Sequence, residues 1–373
     1  MQKIADENPD YWQEYTNLQH VKHTLLSRYL GGWFPILSRW RGRVIYIDCH
    51  AGRGLHAGGQ KGSPLIALEV LTTHHYLPSI LQRAEVRFLF IERDPENKKE
   101  LETHLKNHPL PQKVTTEIIC EDYEAVIQKI VDHLKSNKLE MAPTFIFVDP
   151  YGFKLSMHLL AQLKSFQRCE LFVNFMWRYV DMAIANTAHE ENMDALFGCA
   201  DWRELRNLHD PSERCEAAIQ LFQKKLGARY ITWIKMLGEN RAIKYVLIHA
   251  TNHPRGCELM KEAVWNVAPE GEFTARVSDN PLQEFLIMPK PDLAPLESWL
   301  LHKYDGHAVK YQEIENALIE TIYLSKHLNQ VIRAMRDTNR VVCSDYQGKF
   351  SFNQNPLIDF NPRPSNKEKR DKQ

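Results

Sequence analysis

Residues 46–54 read Tyr46-Ile47-Asp48-Cys49-His50-Ala51-Gly52-Arg53-Gly54. A short apolar run ends in an acid and passes into a Gly-x-Gly turn. Glycines let the backbone approach a ligand closely there, and the crevice beyond the carboxyl ends of such strands is where nucleotides bind. The third glycine of the dinucleotide fingerprint is missing, and Lys61-Gly62-Ser63 is in the wrong order for a phosphate-binding P-loop. A plain tight turn fits the same residues.

Outward from this stretch, Val44–Ile47, Val86–Ile91, Thr116–Cys120 and Thr144–Val148 are nearly continuously apolar and rich in β-branched or aromatic residues. Such runs suit strands buried on both faces of a parallel sheet. Helical patterns at Leu65–Leu71, Asn97–Leu105 and Tyr123–Leu134 separate them. This alternation predicts a doubly wound, Rossmann-like α/β sheet. Glu170–Phe175, Tyr230–Met236, Tyr245–Ala250 and Pro281–Met288 read as further strands, and 178–225 as a polar helical insert outside the sheet. Upstream, Leu18, Val21, Leu25, Leu26, Tyr29 and Leu30 have helical spacing, with Gly31-Gly32 expected to break the run before Trp33-Phe34-Pro35. Lys22 and His23 lie on this helix, whose face the sequence does not orient.

Pro289-Lys290-Pro291 marks a linker. Beyond it, Leu293–Tyr304, Tyr311–Leu318 and Ser325–Thr338 read as helices, and Arg340–Asp345 with Lys349–Phe352 as a hairpin. Three helices and a hairpin are the pattern of a winged helix-turn-helix. The divisions are 1–40, an N-terminal helical segment; 41–290, the α/β domain; 291–355, the winged helix; and 356–373, a basic disordered tail.

Composition sets bounds. The chain has 373 residues, 43% hydrophobic and 25% charged, as in ordinary globular domains. Lys plus Arg and Asp plus Glu are both 47, so polyanion binding must come from a local patch rather than bulk charge. The segment from Leu324 to Phe352 is such a patch: Lys326, Arg333, Arg336, Arg340 and Lys349 face only Asp337 and Asp345. Lys326, Gln330, Arg333 and Arg336 fall opposite the apolar stripe of the third helix, and Lys349 lies in the wing, so these five are the candidate nucleic-acid contacts. Winged helices also dock proteins. Seven cysteines without a CxxC pair argue against a zinc ribbon, a cluster held by this chain alone or a disulfide framework, and no metal site is expected. The first residues have no apolar signal core and no run approaches the ~18 apolar residues of a membrane span, which predicts a cytoplasmic protein without membrane contact.

Each strand end carries chemistry. Phe90-Ile91-Glu92-Arg93-Asp94 offers Glu92, able to accept both hydroxyls of a ribose, with Asp94 as a helix cap. Cys120-Glu121-Asp122 offers Asp122, either an adenine acceptor or a helix cap. Val148-Asp149-Pro150-Tyr151-Gly152 offers a carboxylate and carbonyls that accept from an exocyclic amine, and an aromatic face for a flat base. Cys49 reads as a buried filler, His253 and Arg255 as a loop cap or a substrate mouth, and Trp33, Phe34, Trp40, Trp177 and Trp265 as core.

Together these boxes resemble S-adenosylmethionine-dependent methyltransferases that act on exocyclic amines. Gly152 departs from the commoner Asp/Asn-Pro-Pro-Tyr form toward the Asp-Pro-Phe-Gly of tRNA guanine-N2 methyltransferases. A narrower likeness runs from about residue 15 to 355. His23-x-Leu-Leu, Trp33-Phe34-Pro35-Ile36-Leu37, Gly62-Ser63-Pro64-Leu65-Ile66-Ala67-Leu68, Asp149-Pro150-Tyr151-Gly152 and Asn252-His253-Pro254-Arg255-Gly256 are similar to the three-Cys-motif partner proteins. These are bacterial methyltransferase-like proteins with a C-terminal winged helix, found beside a radical-type iron–sulfur protein with three cysteines. The resemblance implies S-adenosylmethionine, or a modified form of it, as cofactor. It places Asp48, Gly52 and Gly54 on the methionine end, Glu92 on the ribose, Asp122 on the adenine, and Asp149, Pro150 and Tyr151 on the acceptor amine. It implies a nucleobase in DNA as substrate. An RNA base methyltransferase, or a non-catalytic partner that senses a nucleotide, is the alternative.

Overall fold

The computed structural model describes residues 12–37, 40–152, 154–238, 240–271, 273–276 and 290–360. Two compact units divide the chain: the first takes in residues up to Ala268 with Glu272–Leu286, and the second Pro269–Gly271 with everything from Ile287.

In the first unit the elements follow in the order α1 (Asn17–Ile36), β1 (Gly42–Asp48), α2 (Ser63–Thr72), α3 (Leu77–Arg83), β2 (Ala84–Ile91), α4 (Pro95–Lys106), β3 (Val114–Ile119), α5 (Tyr123–Ser136), β4 (Thr144–Val148), α6 (Met157–Ser165) and β5 (Cys169–Phe175). There follow α7 (Trp177–Ile184), α8 (Glu190–Phe197), α9 (Pro211–Leu226), β6 (Tyr230–Leu237), β7 (Ile243–Thr251), α10 (Pro254–Val267) and β8 (Thr274–Arg276). Among the described residues the sheet order is β3-β2-β1-β4-β5-β7-β6-β8. The first five strands are parallel, and β7 enters antiparallel between β5 and β6. This is a mixed α/β fold with a large, mostly parallel sheet. Winding runs from β1 outward to β3, then restarts at β4 on the opposite side of β1, so the switch point lies between β1 and β4. Open α/β sheets bind ligands in that crevice, beyond the strand carboxyl ends.

Both sheet faces are covered, which explains the unbroken apolarity of the strands. One face carries Tyr46, Phe88, Phe145 and Phe172 against the aromatics of α1, with Tyr29 stacked at 5.2 Å on Phe145. The other packs Ile47, Ile146, Leu171 and Val173 against α5, α6 and α9. Burying each such side chain contributes about 1.5–3 kcal/mol.

Four sequence expectations change. Gly31-Gly32 does not break α1, which continues to Ile36 with Pro35 in its last turn. Gly32 instead admits α10, since a Cβ there would lie 2.3 Å from Leu259 Cδ1. The insert is no excursion, because Phe197, Trp202 and Phe222 are fully buried in the main core. Two helices, α3 and α6, went unread: α3 is only seven residues long, and α6 follows the Pro-Tyr-Gly turn after a loop without helical signal. The proposed strand 281–288 and Pro289 lie outside the described residues.

The second unit comprises α11 (Ala294–Tyr304), β9 (Ala308–Lys310), α12 (Tyr311–Ala317), α13 (Ser325–Asp337), β10 (Val342–Ser344) and β11 (Leu357–Asp359). Its sheet is antiparallel throughout, in the order β10-β11-β9. The three helices stand where the periodicity placed them. The hairpin partner of β10 is not 349–352 but β11, because Phe350 and Phe352 turn in as a ring pair 4.9 Å apart rather than extending a ladder. The ordered fold therefore reaches beyond residue 355 into what reads as tail, while 361–373 lie outside the described residues.

Candidate active site at the switch point

Asp48 ends β1 and is fully buried. The backbone N–H of His50 donates to its Oδ1 at 3.2 Å and the Tyr46 hydroxyl to its Oδ2 at 3.3 Å. Burial outweighs these bonds and that of the Ser63 hydroxyl, and pushes its carboxyl up to about 7, with the Asp149 charge adding to the shift. Asp48 and Asp149, the residues that follow or end β1 and β4, thus face each other electrostatically across the switch point.

The segment after β1 stays bonded to both neighbouring strands, Cys49 N–H donating to Phe147 and Ala51 N–H to Ile91. The turn then adopts left-handed backbone at Gly52 (φ 63°) and Gly54 (φ 89°). What crowds these glycines is the protein's own side chains: a Cβ on Gly52 would lie 2.3 Å from the Trp12 ring, and one on Gly54 2.9 Å from Leu101. Their close approach is therefore to Trp12 and Leu101. Glu92 braces the turn, its Oε2 accepting the Gly52 N–H at 2.7 Å and its Oε1 the Asp94 N–H at 2.8 Å. A carboxylate oxygen can accept two hydrogen bonds, so this brace is compatible with a ribose. Asp122 caps α5, accepting the Glu124 N–H at 2.9 Å, and Asp94 caps α4. His50 packs tilted against Tyr123, ring centroids 4.6 Å apart; burial drives its imidazole down to about 4, and its Nδ1 accepts no hydrogen bond among the described residues.

Asp149 follows β4. Its Oδ2 is ion-paired with Lys22, and its Oδ1 accepts Asn174 Nδ2 at 2.6 Å. Burial pushes its carboxyl up, but the Lys22 charge and the bonds from Lys22 and Asn174 prevail and hold it below the ordinary carboxylate range. Pro150 is buried, whereas Tyr151 is 45% exposed and receives the Tyr179 hydroxyl at 3.4 Å. Beside Lys22, burial holds His23 well below its usual value, and its Nδ1 meets the Tyr15 hydroxyl at 2.8 Å.

The structure thus gathers Asp48, Gly52, Gly54, Glu92, Asp122, Asp149, Pro150 and Tyr151 at the carboxyl edge of one sheet. Sequence reasoning missed Lys22 and Asn174. Both carried a signal: Lys22 is a lone charge on the apolar stripe of Leu18, Leu25, Leu26 and Tyr29, and Asn174 a lone amide in Leu171-Phe172-Val173-Asn174-Phe175. His253 is the cap of α10, accepting the Arg255 N–H. Trp33, Phe34, Trp177, Trp265 and Cys49 are buried, and Trp40 is half-buried under Arg168.

Lys326, Gln330, Arg333 and Lys349 are exposed in the second unit. Arg333 lies over the Phe352 ring at 5.3 Å and Arg336 over Phe350 at 4.3 Å. No helix among the described residues is long and apolar enough to cross a membrane, and no group of three or more His, Cys, Asp or Glu among them could hold a metal ion.

No family model and no curated protein sequence matches the chain. Among solved structures, a Legionella pneumophila protein of the DUF519 family is 12% identical with a TM-score of 0.37, covering 67% of this chain and 92% of its own. A Klebsiella pneumoniae protein provisionally assigned as an O-methyltransferase is 13% identical, with a TM-score of 0.31 over 64% of this chain and 92% of that one. A Porphyromonas gingivalis protein provisionally assigned as a methyltransferase is 12% identical, with a TM-score of 0.25 over 60% and 41%. At these scores the likenesses carry no functional argument, and the fold rests on the strand order itself.

Proposed function

We propose that the chain is an S-adenosylmethionine-dependent methyltransferase acting on an exocyclic amine of a nucleobase in DNA, its second unit a winged helix that grips nucleic acid. One observation carries this reading: Asp149, at the carboxyl end of β4 beside the switch point, has a side chain only 13% exposed yet is held ionised by Lys22 and Asn174. A partly buried carboxylate kept charged is a strong acceptor for an amine.

The donor set fits the cofactor on charge. S-adenosylmethionine brings an ammonium and a sulfonium, and Asp48, Glu92 and Asp149 line the same edge. Asp48 would hold the ammonium, Glu92 the ribose and Asp122 the adenine. Bound there, the cofactor would supply an electrophilic methyl group. The chain's own residues orient and desolvate the acceptor, since in-line displacement depends on alignment. Asp149 would hold an amine hydrogen beside the Pro150 turn, leaving the nitrogen lone pair directed at the methyl carbon, and Tyr151 would stack on the base. Methyl transfer from the bound cofactor would form the N–C bond and leave the S–C electron pair on sulfur, and Asp149 would receive the proton shed by the methylated nitrogen. Lys22 keeps Asp149 ionised until then. The iron–sulfur partner with three cysteines belongs to the same proposal, as the protein with which this enzyme works, and the insert 178–225 would shape target choice.

The test is methyl transfer from labelled S-adenosylmethionine to DNA, with Asp149→Ala beside the wild type. Transfer abolished in the variant with cofactor affinity retained supports the reading; a variant with most of its turnover reduces Asp149 to a turn residue.

A further inference from the structure

Asn174 is the penultimate residue of β5 and is 4% exposed. Its Nδ2 donates to Asp149, while its Oδ1 is fully buried and accepts no hydrogen bond among the described residues. The orientation of this amide follows from charge: beside an ionised carboxylate only the NH2 group can face Asp149, so the carbonyl oxygen must face the other way. Its neighbours along the strand offer no side-chain donor, since Leu171, Phe172, Val173 and Phe175 are buried and apolar. Native proteins rarely leave such an oxygen unpaired, because it forfeits its hydration without replacement.

The neighbour is equally suggestive. Asp149 has about four lone-pair sites, and Lys22 and Asn174 take one on each oxygen. The side chain that donates to an incompletely paired carboxylate therefore also carries an unpaired amide oxygen. A hydroxyl or a secondary amine brings one hydrogen to this pair of acceptors; a primary amine brings two.

We infer that Asn174 is a specificity-determining residue of the acceptor site, its Oδ1 taking the second hydrogen of a primary exocyclic amine whose first is held by Asp149. This rests on the methyltransferase reading and narrows its substrate class. Hydroxyl acceptors are rejected because they leave Asn174 unpaired in a buried site. The reaction stops after one methyl group, because the product nitrogen retains a single hydrogen and would turn its methyl group toward the amide oxygen.

The test uses oligodeoxynucleotides, single-stranded and duplex, in which adenine, cytosine or guanine is the methylatable base, beside counterparts carrying N6-methyladenine, N4-methylcytosine or N2-methylguanine. Transfer from labelled S-adenosylmethionine is measured for the full chain and for Asn174→Leu, with Asn174→Ala replacing it should the leucine variant fail to fold. The wild type should disfavour the monomethylated counterpart of its substrate by about a hundredfold or more, as sites built to bond a substrate N–H do. In the variant that preference should shrink at least about tenfold, a change of about 1.4 kcal/mol in discrimination. A turnover that falls with the preference unchanged makes Asn174 purely structural and overturns the inference, as does a wild type that methylates both forms equally. If no oligonucleotide accepts a methyl group although calorimetry shows bound cofactor, the nucleobase reading falls, and this inference with it.

Discussion

Lys22 and Asp149 stand 127 positions apart in the chain and meet in one largely buried ion pair, the helix ammonium on the carboxylate that follows the fourth strand. Lys22 is 3% exposed. Two charges removed from water in this way persist only as partners, so the N-terminal helix is as much a part of the crevice as the strands.

Removing the ammonium leaves a buried charge. Lys22→Ala should destabilise the protein by about 3–5 kcal/mol at neutral pH, with Lys22→Arg much milder. The deficit should depend on pH. Asp149 is depressed in the native state, so its contribution is present above the ordinary carboxylate value of 3.8 and fades as pH falls through the lower native one. Urea unfolding at pH 7 and at about pH 2 checks this: the gap between wild type and Lys22→Ala should narrow in acid, and equal gaps would contradict the pairing.

Asp48 behaves in the opposite sense. Its carboxyl is raised to about 7 chiefly by burial, so it favours folding while protonated, and that advantage is lost as pH rises from 4 through 7. Asp48→Asn should therefore be more stable than the wild type at pH 8 and nearly equal to it at pH 4, by about 1.4 kcal/mol per unit of the shift. A cation held by Asp48 requires the ionised form, so wild-type affinity for S-adenosylmethionine should rise with pH through about 7 and then level off, with proton release seen by calorimetry in two buffers. Affinity independent of pH would remove Asp48 from the cofactor site.

Glu92 has two duties that substitution separates. Glu92→Ala leaves the buried Gly52 amide and the half-buried Asp94 amide without their acceptor and should cost about 1–3 kcal/mol of stability. Glu92→Gln keeps one acceptor oxygen. It should restore part of that stability while still weakening S-adenosylmethionine by about 1.5–3 kcal/mol, the range of a bond to a charged group. Titration calorimetry beside thermal unfolding separates the two, and unchanged affinity in both variants would leave Glu92 as a turn brace only.

In the second unit, Arg333 and Arg336 rest on Phe352 and Phe350, which limits the freedom their guanidinium groups lose on binding. The double variant Arg333→Ala, Arg336→Ala should weaken duplex DNA at least about tenfold and lower the salt slope of binding by about one for each phosphate no longer neutralised. S-adenosylmethionine affinity should not change. Fluorescence anisotropy at two salt concentrations is the measurement, and DNA binding unaltered at both would point to a protein-docking unit.

The sequence by itself determined the elements that depend on neighbours a few positions away. Thr144–Val148 is legible as a buried strand because all five of its residues are apolar or β-branched, and Ser325–Asp337 as a helix because Leu328, Val331, Ile332 and Met335 share one face. The same local grammar found Asp48, Glu92 and Asp149, since an acid that ends a buried strand stands out against it. It erred where a long-range partner decides. Gly31-Gly32 reads as a breaker until α10 packs against Gly32, and 349–352 reads as a strand until Phe350 and Phe352 close on each other. Only the tertiary structure decided that Lys22 faces the sheet, that Asn174 lies beside Asp149, and that Trp12 fills the space the Gly52 turn leaves. The physical reason is that strand order and helix orientation are set by closing loops of many residues against the burial of whole faces, and no short window of sequence records which faces meet.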